Sequence, residues 1–581
     1  MKSSACSGLD AYNSKIEGFR DIEYPSLKGV TYLDYGGSAI PAKSLLEDAA
    51  ADLSTNLYGN PHSACAPSAL AGRRVDEIRE QVLRFFNADP KYFDLVFVAN
   101  ATAALKLVMD CFKDHCDATQ RLSRCQRRKF WYGYHRDAHN SLVGIRELAE
   151  GGQHCFSSDQ EVEAWIHGSN KTSKRQTGKQ LRLFAYPGQS NMTGRRLPLS
   201  WPSDMRASPH TSNVYTLLDA AALATTSPLD FSDPASAPDF TCLSFYKIFG
   251  SPDLGALIIR TTNLSLPTIL SSRRYFGGGT VDMVTTGNTP TTRFHAKKGP
   301  SSPPHAHLED GTLPFHSIIA LSTALSTHAR LYTSMRCISA HTSALTAYLH
   351  ASLAALRHAS SPSCSSPSPL LTIYNDHSAF ADPRLQGPMI AFNVLHRDGR
   401  TLVPPAAVER AADACRIYVR SGSLCNPGGA ARYLGWEAAQ LRALYEREGL
   451  RCSDGNVGVI AGRATGVVRV SLGAASTRAD VDALVGFLRE RFGGGGGRET
   501  GVGEEDSSGE ERSEEEEEEE DAVRVVGKER VEDSGSTEDS SAEEGGFGGE
   551  KKKTERRRWM MMHLLSSCHR GMRKSSGIQQ Q

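Results

Sequence analysis

Nowhere in the 581 residues is there an uncharged apolar run of about 18, the length a membrane-crossing helix needs. The start, MKSSACSGLDAYNSKIEG, lacks the apolar stretch of a secretory signal. Thirteen cysteines are scattered without a repeated short spacing, so neither a zinc pattern nor a disulfide framework is spelled. These absences lead us to expect a soluble cytoplasmic protein with reduced thiols and no membrane partner. An excess of one charge is missing as well: 66 Lys and Arg balance 66 Asp and Glu. The basic patch RLSRCQRRK, residues 121–129, reads as a loop. No stacking aromatics or recognisable reader module accompany it, so no nucleic-acid partner is expected.

The zero net charge conceals two unlike regions. After FLRERFGGGGGRET the composition turns to Gly, Ser and Glu, with seven consecutive glutamates at Glu514–Glu520. Such a stretch cannot bury enough apolar surface to offset its chain entropy. Residues 493–581 are therefore expected to form a disordered, low-complexity tail, either a solvated linker or an interaction segment.

Residues 1–492 read as one continuous α/β unit. Short apolar runs of strand character recur: VTYLD, LVFV, LRLFAY, VYTLLD, FTCLSF, GALIIR and MIAFNV. Helical patterns lie between several of them, which predicts a mainly parallel sheet covered by helices. In STRADVDALVGFLRERF, Thr477 and Asp480 spell a capping box, and Val481, Leu484, Val485 and Leu488 line one helical face. The Ser/Pro-rich stretches at 202–213 and 359–370 read as surface insertions.

Several residues carry chemistry in this frame. Lys247 follows the apolar run FTCLSF and precedes a Gly-containing turn; it is either a surface lysine or a desolvated amine suited to Schiff-base formation. Asp219 ends VYTLLD, where an acid would face the crevice at the carboxyl ends of the strands. An amine for the aldehyde and a carboxylate for the ring nitrogen are what pyridoxal phosphate requires. Ala101 and Thr102 begin a helix after LVFVAN, where free N–H groups and the dipole hold a phosphate, or simply receive a cap. His139 precedes another helical pattern and could stack on a cofactor ring or be structural. Asn191, in YPGQSNMTGR, is a donor suited to a phenolate oxygen, or a turn residue. Cys425 sits in RSGSLCNPGG, in a Pro- and Gly-rich turn where a thiol tends to be reachable, although free cysteine is usually a buried filler.

In order along the chain stand YLDYGGSA, YGNPHS, NATAAL, HNSLVGIR, YPGQSNMTGRRLPLSW, SFYKIFG, YFGGGT, LEDGT, RSGSLCNPG and VRVSLGAAST. Over residues 30–490 this series resembles the molybdenum cofactor sulfurase family, in its amino-terminal cysteine-desulfurase-like domain of the class V aminotransferase group. The resemblance implies a fold-type I, pyridoxal-phosphate-dependent homodimer: a large mainly parallel-sheet domain and a smaller α+β domain built from the N-terminal segment and about 385–492. It implies that Lys247 is the Schiff-base lysine and proton shuttle, that Asp219 pairs with the ring nitrogen, that His139 stacks on the ring and that Asn191 binds its phenolate oxygen. Thr102 and Ser244 would hold the phosphate, and Thr312 of EDGT would reach it from the other subunit. Arg469 of VRVS would clamp the carboxylate of the substrate, L-cysteine, unless it is a structural ion pair. Cys425 would take the sulfur as a persulfide on a loop made mobile by Gly422, Gly428 and Gly429, and pass it to the molybdenum cofactor of xanthine dehydrogenase or aldehyde oxidase.

Departures from the family pattern are specific. Tyr35 and Gly36 stand where His and Ala are usual, Ser423 and Ala430 replace two further cysteines around Cys425, and Ala222 replaces a Gln or His at the cofactor. Nothing after residue 492 resembles the carboxy-terminal, molybdenum-cofactor-binding domain of full-length members. Two rivals remain: another class V pyridoxal-phosphate enzyme, a lyase or transaminase not using Cys425, and a non-catalytic interaction protein built around the acidic tail.

Overall fold

The computed structural model describes residues 9–494, apart from 123–128, 170–179, 286–292, 296–302, 360–366, 376–377, 448 and 452–457. The tail and most of the basic patch, on which two expectations rest, lie outside the described residues.

A seven-stranded sheet forms the larger region. Its strands are β1 (Phe93–Val98), β2 (Trp131–His135), β3 (Gln153–Phe156), β4 (Arg182–Pro187), β5 (Val214–Asp219), β6 (Phe240–Ser244) and β7 (Gly255–Arg260). Across the sheet the order is β1-β7-β6-β5-β4-β2-β3; β3 to β6 and β2 are parallel neighbours, and β7 runs antiparallel to both β6 and β1. All seven runs read from the sequence contain strands. Successive residues of β4 bury to opposite faces: Phe184 and Tyr186 join one core cluster, Leu183 and Ala185 another. Burial on both faces is why these strands read as continuous apolar runs.

Helix α1 (Ala101–Leu122) follows β1, and α2 (Phe315–Tyr332) and α3 (Met335–Ala354) lead out of the larger region. The smaller sheet is wholly antiparallel, in the order β8 (Leu371–Tyr374), β9 (Met389–Val394), β11 (Val467–Ser471), β10 (Arg420–Gly422). One face packs Ile390, Phe392, Val468 and Val470 with Leu345 and Leu349 of α3, upstream of residue 385 where the sequence reading begins this region. The same cluster takes Val481, Leu484, Val485 and Leu488 of the closing helix α5 (Arg478–Phe492). Its capping box is present: the Asp480 carboxylate accepts from the Thr477 N–H at 2.8 Å. The opposite face packs Ala391 and Val467 against Leu424, Ala430 and Leu434, the last two on α4 (Pro427–Leu434).

The first half of one expected surface insertion, residues 202–213, belongs to a core element, while 208–213 is a largely exposed turn. Trp201–Ala207 is helical, and Trp201 and Met205, one turn apart, are buried in the main core. The Ser and Pro residues set a loop expectation, but Pro202 sits in the first turn, where proline is tolerated. No described helix is long and apolar enough to cross a membrane.

Candidate active site

The parallel strands β4, β5 and β6 end side by side: Pro187 pairs with Asp219, and Asp219 with Cys242 two residues before Ser244. Their carboxyl ends open on a cavity of about 190 Å³, lined among others by Ala101, Thr102, His139, Asn191, Asp219, Ser244 and Lys247. Seven of the ten residues singled out in the sequence therefore meet in one place. Thr312 is exposed and absent from this lining; its hydroxyl accepts from Asn60 Nδ2 at 3.4 Å.

At one end, β6 and α1 build an anion cradle. The Ala101 N–H, first of the helix, donates to Ser244 Oγ at 3.0 Å, and the Thr102 and Ser141 hydroxyls bond at 2.8 Å. Asn100 caps the helix by accepting from the Ala103 N–H at 3.0 Å. A 22-residue helix aimed at two hydroxyls and a buried serine suits a phosphate. At the other end Asp219 is buried, with one oxygen accepting the Ala221 N–H at 3.0 Å.

Lys247 lies on the short helix Tyr246–Phe249 after β6. Burial pushes its amine below the ordinary lysine range; Asp219 opposes the shift, and Arg469 and Arg420 reinforce it. His139 caps the helix Asn140–Val143, its Nδ1 facing the Ser141 N–H at 3.2 Å. Burial, with Lys247 as a lesser cause, lowers its pKa, so the ring is held neutral despite Asp219.

The residues present fit pyridoxal phosphate: a desolvated amine for its aldehyde, a buried carboxylate for its ring nitrogen, a neutral imidazole beside the ring, and a helix N-terminus with hydroxyls for its phosphate.

Arg469 is almost fully buried and already engaged: Nη1 donates to the Asn191 carbonyl at 2.8 Å and Nη2 pairs with Asp34, while Nε is buried without a partner. Here the guanidinium is an ion pair, and a substrate carboxylate would have to share it with Asp34. This packing also explains Gly36: a Cβ there would lie 2.8 Å from Met389 Cε and 3.2 Å from Arg469 Cζ.

Cys425 is half-buried and, like Arg469, absent from the cavity lining, but its loop is bonded to residues beside it. The Asn191 amide donates to the Leu424 carbonyl at 2.6 Å, and the Asn140 N–H, next to His139, donates to the Cys425 carbonyl at 2.9 Å. Leu424 and Cys425 have φ of +58° and +55°, a left-handed conformation costing about 1–2 kcal/mol per residue. Of the three glycines expected to make the loop mobile, Gly422 has a positive φ, 120°, and pairs with Val467 in the smaller sheet. Gly428 and Gly429 open α4, and a Cβ on Gly428 would lie 2.2 Å from the Arg136 carbonyl oxygen, so this glycine serves close packing.

Sequence reasoning missed Asn100, Ser141, Gln189 and Tyr246 of the lining, and Asp34 beside Arg469. Asn100 carried a signal, an Asn immediately before a helical pattern. Gln189 carried none: its partners Ala222 and Arg196 are set by the fold.

The class-V aminotransferase profile matches residues 31–375. The chain belongs to the class-V aminotransferase family. Among its curated relatives, the molybdenum cofactor sulfurase of Aspergillus clavatus is 52% identical over 82% of this chain and 53% of that protein. The molybdenum cofactor sulfurase of Aspergillus terreus is 51% identical over 82% of the chain and 54% of its own length. The ten-motif resemblance is thus borne out, and the chain spans about half the length of the curated relatives it matches. Among solved structures, the apo cysteine desulfurase of Thermococcus onnurineus NA1 shares this class-V fold, with a TM-score of 0.59 at 19% identity, covering 85% of this chain and 99% of that one. The architecture is fold-type I, with the mainly parallel sheet the sequence predicts.

Proposed function

We propose that the chain is a pyridoxal-phosphate-dependent cysteine desulfurase that places the sulfur of L-cysteine on Cys425. The observation that carries this reading is the attachment of the Cys425 loop to the pocket: Leu424 and Cys425 are bonded through their carbonyls to Asn191 and Asn140, beside Lys247 and His139. When bound, the cofactor supplies an electron-withdrawing ring that labilises the bonds at the substrate Cα. The phosphate would be held by Ala101, Thr102 and Ser244, the ring by Asp219 and His139, and the aldehyde by Lys247. Lys247, its pKa lowered by burial, takes and returns protons at Nζ. The Cys425 thiolate attacks the substrate sulfur. An S–S bond forms as the C–S bond breaks, the electron pair stays with the substrate carbon, and protonation there gives alanine and a Cys425 persulfide.

The relatives named molybdenum cofactor sulfurase support the molybdenum cofactor as the acceptor, and the family resemblance extends this to a molybdoenzyme such as xanthine dehydrogenase or aldehyde oxidase. A homodimer in which the partner chain's equivalent of Thr312 completes the phosphate site, and a cytoplasmic setting, belong to the same reading. In the test, the protein loaded with pyridoxal phosphate is incubated with L-cysteine. Alanine should appear in step with bound sulfur, and Cys425→Ala should lose persulfide and sulfide while retaining the visible absorbance. Undiminished turnover in Cys425→Ala would instead identify a class V lyase or transaminase.

A further inference from the structure

One buried side chain holds the carboxyl side of the Cys425 loop. Asn426 is fully enclosed, and its Nδ2 lies 3.1 Å from the Asp137 carbonyl, 3.4 Å from Ser190 Oγ and 3.1 Å from Asn191 Oδ1. Its Oδ1 accepts from the Gly429 N–H at 2.9 Å, capping α4. Its anchors belong to the segments that leave β2 and β4, so the loop is tied to the larger sheet as well as to its own helix. The Asp137 anchor is rigid in turn. Its carboxylate pairs with Arg195 at 3.1 Å, Arg195 pairs with Asp159 at 2.5 Å, and the Asp137 N–H donates to His135 Nδ1 at 3.2 Å.

On the amino side, Gly422 is registered in the smaller sheet against Val467. Only Ser423, Leu424 and Cys425 lie between the two fixed points, and the Leu424 side chain is buried against Met192, Ala430 and Leu434. With Asn426 fixed, one Cα–Cα step and the length of the cysteine side chain confine the sulfur to within about 7 Å of the Asn426 Cα. This is a tether, too short for an arm that carries sulfur away from the site.

We propose that Asn426 is a positioning residue that holds Cys425 beside the pocket, so that a sulfur acceptor must come to the thiol. The inference rests on the desulfurase reading only for its consequence in sulfur transfer; the restraint of the thiol can be measured without it.

The test separates restraint from helix capping. Asn426→Asp keeps an oxygen for the Gly429 N–H, since Asp caps as well as Asn, but loses the donor to Asp137, Ser190 and Asn191. Asn426→Ser keeps a capping hydroxyl and is too short to reach those three acceptors. Both are made in the full chain, and alkylation by iodoacetamide is followed peptide by peptide, with exposed Cys65 and Cys415 as references. Cys425 should react at least 5-fold faster in both variants, with the references unchanged. In the cofactor-loaded variants the first persulfide on Cys425 should form at least 10-fold more slowly, with the visible absorbance unaltered. Cys425 alkylation within twofold of the wild type in a folded variant overturns the proposal. Equal acceleration at Cys65 and Cys415 also overturns it, because that marks a general structural role. Should Asn426→Asp fail to fold, Asn426→Ser decides alone. A wild-type protein that forms no persulfide refutes the desulfurase reading and leaves the alkylation comparison to judge Asn426.

Discussion

In the proposed desulfurase reading Lys247 and Cys425 have separable duties, and single substitutions should split them. Lys247→Ala removes the amine that moves the proton, a contribution of about 10²–10⁴ in rate for positioned acid–base groups. Alanine release should fall by at least that factor, measured by single-turnover product analysis, and the visible band of the loaded wild type should disappear. Cys425→Ala should keep the band. A third residue, His328, stands apart from the chemistry. It is buried among Phe85, Phe249 and Tyr332, and burial lowers its pKa from 6.5 to about 4. Between those values the unfolded chain binds the proton and the folded one does not, so stability falls as pH drops from 6.5 toward 4. The cost approaches about 3 kcal/mol at the acid end. His328→Leu should lose less melting temperature between pH 7 and pH 5 than the wild type; equal losses would show that other groups govern acid sensitivity. At this scale the sequence was informative where one residue's chemistry was rare for its place, as with Lys247 after a strand and Asp219 at a strand end. It was silent where a role is set by a distant partner: Asn191 and Asn426 meet across 235 positions.

Elements were legible when burial gave them a period, and less so when aromatics and glycine broke it. Six of the seven apolar runs became strands because two buried faces select continuous hydrophobic sequence; in VTYLD the strand is only Thr31–Tyr32, and both residues are half-buried. Strand β2, WYGYH, was not anticipated: Gly133 interrupts it, and that glycine is there because a Cβ would lie 2.5 Å from the Trp131 ring. Helix α5 was legible from its cap and stripe, and its N-terminus does more than cap. Asp480 also receives both terminal nitrogens of Arg20, at 2.6 and 2.8 Å, in a nearly buried pair. Asp480→Ala strips the cap and leaves Arg20 unpaired, a loss of about 3 kcal/mol. Denaturant titration should show it, while persulfide formation at a temperature where the variant is folded should match the wild type. The Cys425 loop belongs to the same scale. Its glycines suggest a hinge, and Gly422 does have a positive φ, but so do Leu424 and Cys425, which are held by carbonyl hydrogen bonds and a buried leucine.

For the whole molecule, composition divides the chain near residue 493, and the fold described here closes on α5 before it. Removing residues 495–581 should therefore leave melting temperature and desulfuration within twofold of the full chain, measured side by side; a larger loss would assign the tail a part in the fold or the site. The larger sheet presents Asp219 and Ser244 at its strand ends, the smaller sheet presents Arg469 and the Cys425 loop, and Asn191 of the pocket lining bonds to both Arg469 and Leu424. That union is the central claim, and it is tested most directly by the mass of the Cys425 peptide after the cofactor-loaded protein meets L-cysteine. The account predicts one added sulfur atom on that peptide, removed by a thiol reductant and absent in Lys247→Ala. An unmodified Cys425 peptide alongside stoichiometric alanine would contradict it.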